Sequence, residues 1–167
     1  TKDCEFVFHL AGVNRPKDEK AFMEGNFGFT AQLLDSLRKH HNKSPILMTS
    51  SIQAVKQNPY GVSKKAAEDL LFSYSQETGA KVLIYRLPNL FGKWSRPNYN
   101  SVVATFCHNI ARDMPIQIHD PNARITLGYI DDVIAEFING LQGKEKKDGE
   151  FCKVPTTYTI TVGELAE

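Results

Sequence analysis

Tyr60 and Lys64 lie four residues apart in the stretch Asn58-Pro59-Tyr60-Gly61-Val62-Ser63-Lys64, and Ser50 and Ser51 close the apolar segment before it. Four helical residues nearly complete one turn, so phenol and amine share a face at a helix start. A free phenol holds its proton to about pH 10, too high for easy exchange in neutral solution. A neighbouring ammonium and the positive helix end both favour the phenolate, so Lys64 is expected to lower the Tyr60 pKa. Tyr60 then becomes an acid–base group for a carbonyl or alcohol. Ser51, or else Ser50, would hold the same oxygen while charge develops on it. Such a trio suits reversible hydride chemistry, with the hydride drawn from a cofactor because no side chain supplies one. By itself a Tyr-x-x-x-Lys spacing is equally an exposed helix pair, and its surroundings must decide.

The elements around it favour chemistry. Cys4-Glu5-Phe6-Val7-Phe8-His9-Leu10-Ala11-Gly12 reads as a strand, followed by a helical pattern over residues 18–40. A second strand ends at Ser51, and a helix over 60–78 repeats Ala67, Leu70, Leu71 and Tyr74 before Gly79 stops it. A third strand runs to Leu87, a loop leads to a helix over about 101–113, and residues 115–119 read as a fourth strand. A strand follows near Arg124, then a helix capped by Asp131 or Asp132, then a solvated charged loop over 143–149. A last strand and helix begin near Tyr158.

Apolar strands alternating with helices predict an α/β fold, a Rossmann-like doubly wound parallel sheet. Such sheets bind ligands beyond the carboxyl ends of their strands. The segments ending at Gly12, Ser51 and Asn89 are all strand ends, so they are expected to converge on one cleft.

Composition narrows the partners. Twenty basic and nineteen acidic side chains leave a net charge of +1, which gives no field for nucleic acid or an anionic membrane. The apolar runs fall far short of a bilayer span and no leader pattern opens the chain, which predicts a cytoplasmic protein. Three scattered cysteines without a Cys-x-x-Cys pair suggest neither a disulfide framework nor a metal site.

In order along the chain, Val7-Phe8-His9-Leu10-Ala11-Gly12, the Asn26 helix, Thr49-Ser50-Ser51, Pro59-Tyr60-Gly61-Val62-Ser63-Lys64, Arg86-Leu87-Pro88-Asn89-Leu90-Phe91-Gly92 and Leu127-Gly128-Tyr129-Ile130-Asp131-Asp132-Val133 resemble the extended short-chain dehydrogenase/reductase family, which acts on nucleotide sugars. The stretches 9–16, 50–54, 58–64 and 88–112 look closest to the reductase domain of bacterial capsular-polysaccharide enzymes that carry a C-terminal cupin. That resemblance implies NADP(H)-dependent reduction, NAD(H) being possible, of the 4-keto group of a UDP-2-acetamido-2,6-dideoxy-hexos-4-ulose. It implies Ser51, Tyr60 and Lys64 as catalytic residues. Leu10, Ala11, Gly12, Asn26, Ser50, Tyr60, Lys64 and Pro88 would line the cofactor. Ser51, Asn89, Arg96, Asn98, Ser101 and Arg124 would face the UDP-sugar, where arginine suits a diphosphate. A homodimer through helices 18–40 and 60–78 is implied as well.

Family members open with a Gly-x-x-Gly-x-x-Gly turn that holds the cofactor pyrophosphate, and no such pattern occurs in these residues. The expectation is therefore one incomplete domain over 1–167, lacking the leading β-α-β units and inactive by itself. A 4,6-dehydratase needs a carboxylate beside the serine, where Ile52 and Gln53 stand instead. A nucleotide-sugar 4-epimerase shares the trio and stays open, as does a non-catalytic assembly fragment.

Overall fold

The computed structural model describes residues 1–167, which fold into two compact units. The first comprises Thr1–Arg86 with Gly140–Lys153, the second Leu87–Asn139 with Val154–Glu167.

In the first unit β1 (Val7–His9), β2 (Ile46–Ser51), β3 (Val82–Leu87), β7 (Phe151–Cys152) and β6 (Lys147–Asp148) form one sheet in that order. β1 runs parallel to β2 with His9 opposite Met48, and β3 runs parallel to β7 with Tyr85 opposite Cys152. β2 and β3 are almost wholly buried, as continuous apolar strands in a covered parallel sheet must be. Leu34 and Leu37 of α2 (Phe29–Lys39) pack with Ala67, Leu71 and Tyr74 of α3 (Pro59–Thr78) against Ile46, Met48 and Ile84. Each fully buried leucine there contributes on the order of 2 kcal/mol.

Local chemistry sets where α3 starts. The Asn58 side chain accepts from the Gly61 amide at 2.7 Å, Pro59 supplies a helix-ready φ in the first turn, and Gly79 ends the helix at φ 75°. Gly61 presses on the 3₁₀ turn Ile52–Val55, where an added Cβ would stand 2.2 Å from the Gln53 carbonyl. That contact brings the first turn of α3 against the end of β2.

The second unit holds a smaller sheet of β4 (Asn89–Phe91), β5 (Arg124–Tyr129) and β8 (Tyr158–Thr161), parallel at the first pairing and antiparallel at the second. Helices α4 (Val102–Ile110), α5 (from Ile130) and α6 (Val162–Ala166) complete it. Thr161 and Glu164 form a capping box at α6. No helix is long and apolar enough to cross a membrane.

Four local expectations are corrected. The helix over 18–40 is interrupted: α1 covers only Lys20–Phe22, and a π-helical turn fills Met23–Gly28 before α2. Gly25 lies so close to Val13 that a Cβ would overlap its side chain at 2.1 Å, and the widened turn lets Asn26 face inward. Residues 115–119 form no strand, and the Asn109 carboxamide takes the Pro115 carbonyl that a ladder would need. The charged loop is in part the β6–β7 hairpin, turning at Gly149 with φ 61°. Asp131 and Asp132 stand inside the first turn of α5, where Asp131 pairs with Lys93 at 2.8 Å.

Candidate active site

The first unit brings six of the expected residues together: Gly12, Asn26, Ser50, Ser51, Tyr60 and Lys64. β2 carries both serines on its last turn of strand, and α3 presents Tyr60 and Lys64 one turn apart. Tyr60 is half-buried, its ring 5.7 Å from that of Phe22, and the Ser51 hydroxyl stands near enough to favour its phenolate. Ser51 Oγ also accepts from the Gln53 amide at 3.1 Å, which caps the 3₁₀ turn and fixes the hydroxyl.

Burial holds the Tyr60 phenol above its ordinary pKa, opposed by the nearby Ser51 hydroxyl. The expectation that Lys64 lowers this pKa is therefore corrected: burial dominates, and the phenol keeps its proton at neutral pH. The physical reason is where the amine points. Lys64 Nζ donates to the Thr49 carbonyl at 2.8 Å, on the strand backbone. Burial draws its own pKa down to about 8, against the raising effect of the Glu68 carboxylate.

Asn26 is fixed on three sides. Its carboxamide oxygen accepts from Val13 N at 2.9 Å, while its nitrogen donates to Val13 O at 3.1 Å and to Ser63 Oγ at 2.9 Å. It thus holds the loop that carries exposed Leu10, Ala11 and Gly12. A Cβ at Gly12 would stand 3.0 Å from Asn26 Oδ1 and 3.3 Å from Lys64 Nζ, so the missing side chain leaves a polar corner open.

Ser50 is turned elsewhere. Its hydroxyl donates to Glu68 Oε1 at 2.5 Å, and Arg86 grips the same carboxylate with Nε at 3.0 Å and Nη2 at 2.6 Å. Glu68 and Arg86 escaped the sequence reading, although Glu68 continues the Tyr60–Lys64 face by one more turn and Arg86 is a charge inside an apolar strand. His9 was missed as well. It is buried, bonded through Nε2 to Thr30 Oγ1 at 2.8 Å, and its pKa falls to about 4 through burial first and the Lys64 charge second.

The remaining expected residues belong to the second unit. Asn89 is exposed in β4, with its amide 3.4 Å from the Thr126 carbonyl. Pro88 lies under Gly128, where a Cβ would be 3.3 Å from the proline Cγ. Arg96 is exposed with its guanidinium 5.8 Å from the Tyr99 ring, and Asn98 adopts φ 56° while its amide donates to Thr105 Oγ1. Arg124 is exposed at the start of β5, opposite Thr161. Ser101 is buried as the N-cap of α4, accepting from the Ala104 amide and donating to the Leu90 carbonyl, both at 3.4 Å.

Comparison with known proteins gives this arrangement a context. The family model described as the NAD dependent epimerase/dehydratase family matches residues 1–152. A Pseudomonas aeruginosa protein named UDP-2-acetamido-2,6-beta-L-arabino-hexul-4-ose reductase is 52% identical over 99% of this chain and 44% of its own length. The crystal structure of the capsular polysaccharide assembling protein CapF from Staphylococcus aureus superposes with a TM-score of 0.86 at 45% identity, covering 98% of this chain and 43% of that one. UDP-glucuronic acid 4-epimerase from Bacillus cereus, solved with NAD, shares the fold at 22% identity and a TM-score of 0.82, over 96% of this chain and 57% of its own. This chain spans less than half the length of the first two proteins.

Proposed function

The chain belongs to the NAD dependent epimerase/dehydratase family, and from that premise we propose that it supplies the proton-transfer machinery of a reductase acting on the 4-keto group of a UDP-2-acetamido-2,6-dideoxy-hexos-4-ulose. The observation that carries the chemistry is a phenol kept protonated by burial beside the Ser51 hydroxyl, one helical turn from a buried amine. The sugar is taken from the 52% identical relative, and capsule precursor synthesis from the CapF likeness.

The residues fit a nicotinamide nucleotide at the open corner beside Gly12, where Asn26 Oδ1 and Lys64 Nζ stand within reach of a ribose hydroxyl. Lys64 and Tyr60 would hold that ribose, and Leu10, Ala11, Gly12 and Asn26 would shape its surroundings. When bound, the nucleotide supplies hydride to a carbonyl carbon. Ser51 donates a hydrogen bond to the C4 oxygen as negative charge grows there. The Tyr60 O–H bond then breaks, its proton passes to that oxygen to form the alcohol, and the phenolate left behind takes a proton from solvent. Lys64, whose Nζ points to the Thr49 carbonyl, would act on this step through the ribose it holds. Asn89, Arg96, Asn98 and Arg124 would receive the sugar nucleotide, the arginines at its diphosphate. NADPH is the proposed reductant, and α1–α2 with α3 the proposed homodimer surface. The pyrophosphate-binding turn would lie outside these 167 residues.

The test is to supply the complete translation product with the 4-keto UDP-sugar and NADPH or NADH. A reductase consumes one nucleotide per sugar and prefers NADPH. Interconversion of C4 epimers without net nucleotide oxidation would identify an epimerase instead, and no turnover of either kind would leave a scaffold.

A further inference from the structure

Glu68 is fully buried and ionically paired, yet touches none of the groups that transfer the proton. Stability alone is a poor account of it, since a buried ion pair often contributes no more than apolar side chains of the same volume. Its connections give a better one. Through Oε1 it takes the Ser50 hydroxyl at 2.5 Å, between Thr49, whose carbonyl receives Lys64, and Ser51, whose hydroxyl acts on Tyr60. Through both oxygens it is held by Arg86 of β3, whose guanidinium lies 3.8 Å over the Phe151 ring. It also lies one turn beyond Lys64 on α3.

We infer that Glu68, locked by Arg86 and Ser50, is a positioning residue of the proton-transfer site, which sets the charge of Lys64 and fixes the strand end that carries Ser51. The role in turnover rests on the reductase reading; the role on Lys64 does not. The groups facing the amine are His9 of β1, the Thr49 carbonyl of β2, Asn26 of the π-helical turn and Glu68 of α3. His9 is neutral above about pH 4, so Glu68 is the anion in that set. Without it, burial acts on the ammonium unopposed and the amine loses its proton at lower pH.

The experiment is a carbon-13 NMR titration of lysine-labelled protein without cofactor or sugar, with the Lys64 signal assigned through Lys64→Arg. Native protein should show a midpoint near 8. Glu68→Gln keeps the shape and the Ser50 contact, and should lower the midpoint by about one pH unit or more. Glu68→Asp, which restores the charge, should return it most of the way. Because Glu68→Gln strands the Arg86 charge, the double variant Glu68→Gln/Arg86→Met is titrated as well, and should show the same fall. An unchanged midpoint in both Gln-containing variants would overturn the inference, whatever the protein's activity. In turnover, the alkaline limb of the kcat profile should move down by the same amount, with KM for the sugar held within about twofold. A uniform loss of kcat at every pH, with the limb in place, would reduce Glu68 to a structural residue.

Discussion

The polar side chains around Tyr60 in the first unit and most of the expected sugar-binding side chains of the second are treated in opposite ways. Around Tyr60, polar groups are buried and held in place: Asn26 makes three contacts, Glu68 three, and Ser51 is fixed by the Gln53 amide. In the second unit Asn89, Arg96, Asn98 and Arg124 are all exposed, on a short strand, a loop and the first residue of the central strand. The difference teaches which job each unit can do. A buried, over-bonded set is preorganised, and its geometry serves a reaction whose charge develops at one atom. Exposed long side chains on a loop keep their rotamer freedom until a large polar ligand orders them.

The strongest test of that contrast is the pair Tyr60→Phe and Arg124→Ala in the complete protein. Deleting the Tyr60 hydroxyl removes the proton donor, so kcat should fall by about 10²- to 10⁴-fold while cofactor affinity stays nearly level. Arg124→Ala should raise KM for the UDP-sugar by roughly tenfold and leave kcat almost unchanged, the pattern of a group that binds ground and transition states alike. If both variants lost kcat equally, the division of labour would fail.

Acid sensitivity should come from the buried corner. His9 titrates near 6.5 when unfolded and about 4 when folded, so it is neutral in both states above 6.5. As pH falls from 6.5 to 4 the unfolded chain binds the proton first, and stability is lost progressively, to a total on the order of 3 kcal/mol. His9→Gln should flatten that part of a denaturant-midpoint against pH curve. Lys64 works in the other window: between about 8 and 10.5 the unfolded state holds more protons, so stability climbs with rising pH there.

Much of this corner was legible in the sequence, and the illegible parts share a cause. Tyr60, Lys64 and Ser51 were found because helical spacing and a strand end are local signals, and the fold class because apolar strands alternate with helices. The pKa argument was inverted for Tyr60, since spacing says which groups are near but not which way Nζ points. Glu68 and Arg86 sit on different elements, and only the packing of α3 against β3 joins them. The π-helical turn was read as plain helix, because the Gly25–Val13 approach that widens it is a tertiary contact. The strand expected over 115–119 had alternation but no partner, and alternation alone does not make a ladder.

Ser101 sharpens the comparison from the other side, with the smallest expected effect. The reading from resemblance placed it against the substrate, but its hydroxyl accepts from the Ala104 amide and donates to the Leu90 carbonyl, and the residue is buried. Those two bonds cap α4 and tie it to β4, leaving little capacity for a ligand oxygen. Ser101→Ala should therefore lower stability by about 1 kcal/mol, the usual loss for an N-cap, with KM and kcat within twofold of native. Ser101→Asp, an equally good cap that adds charge, should restore stability. Were Ser101 a diphosphate contact, the aspartate would instead raise KM many-fold by repulsion while the alanine left the unfolding midpoint alone. The two variants move stability and KM in opposite combinations, so one denaturation curve and one saturation curve for each decide whether this buried hydroxyl belongs to the fold or to the exposed binding set.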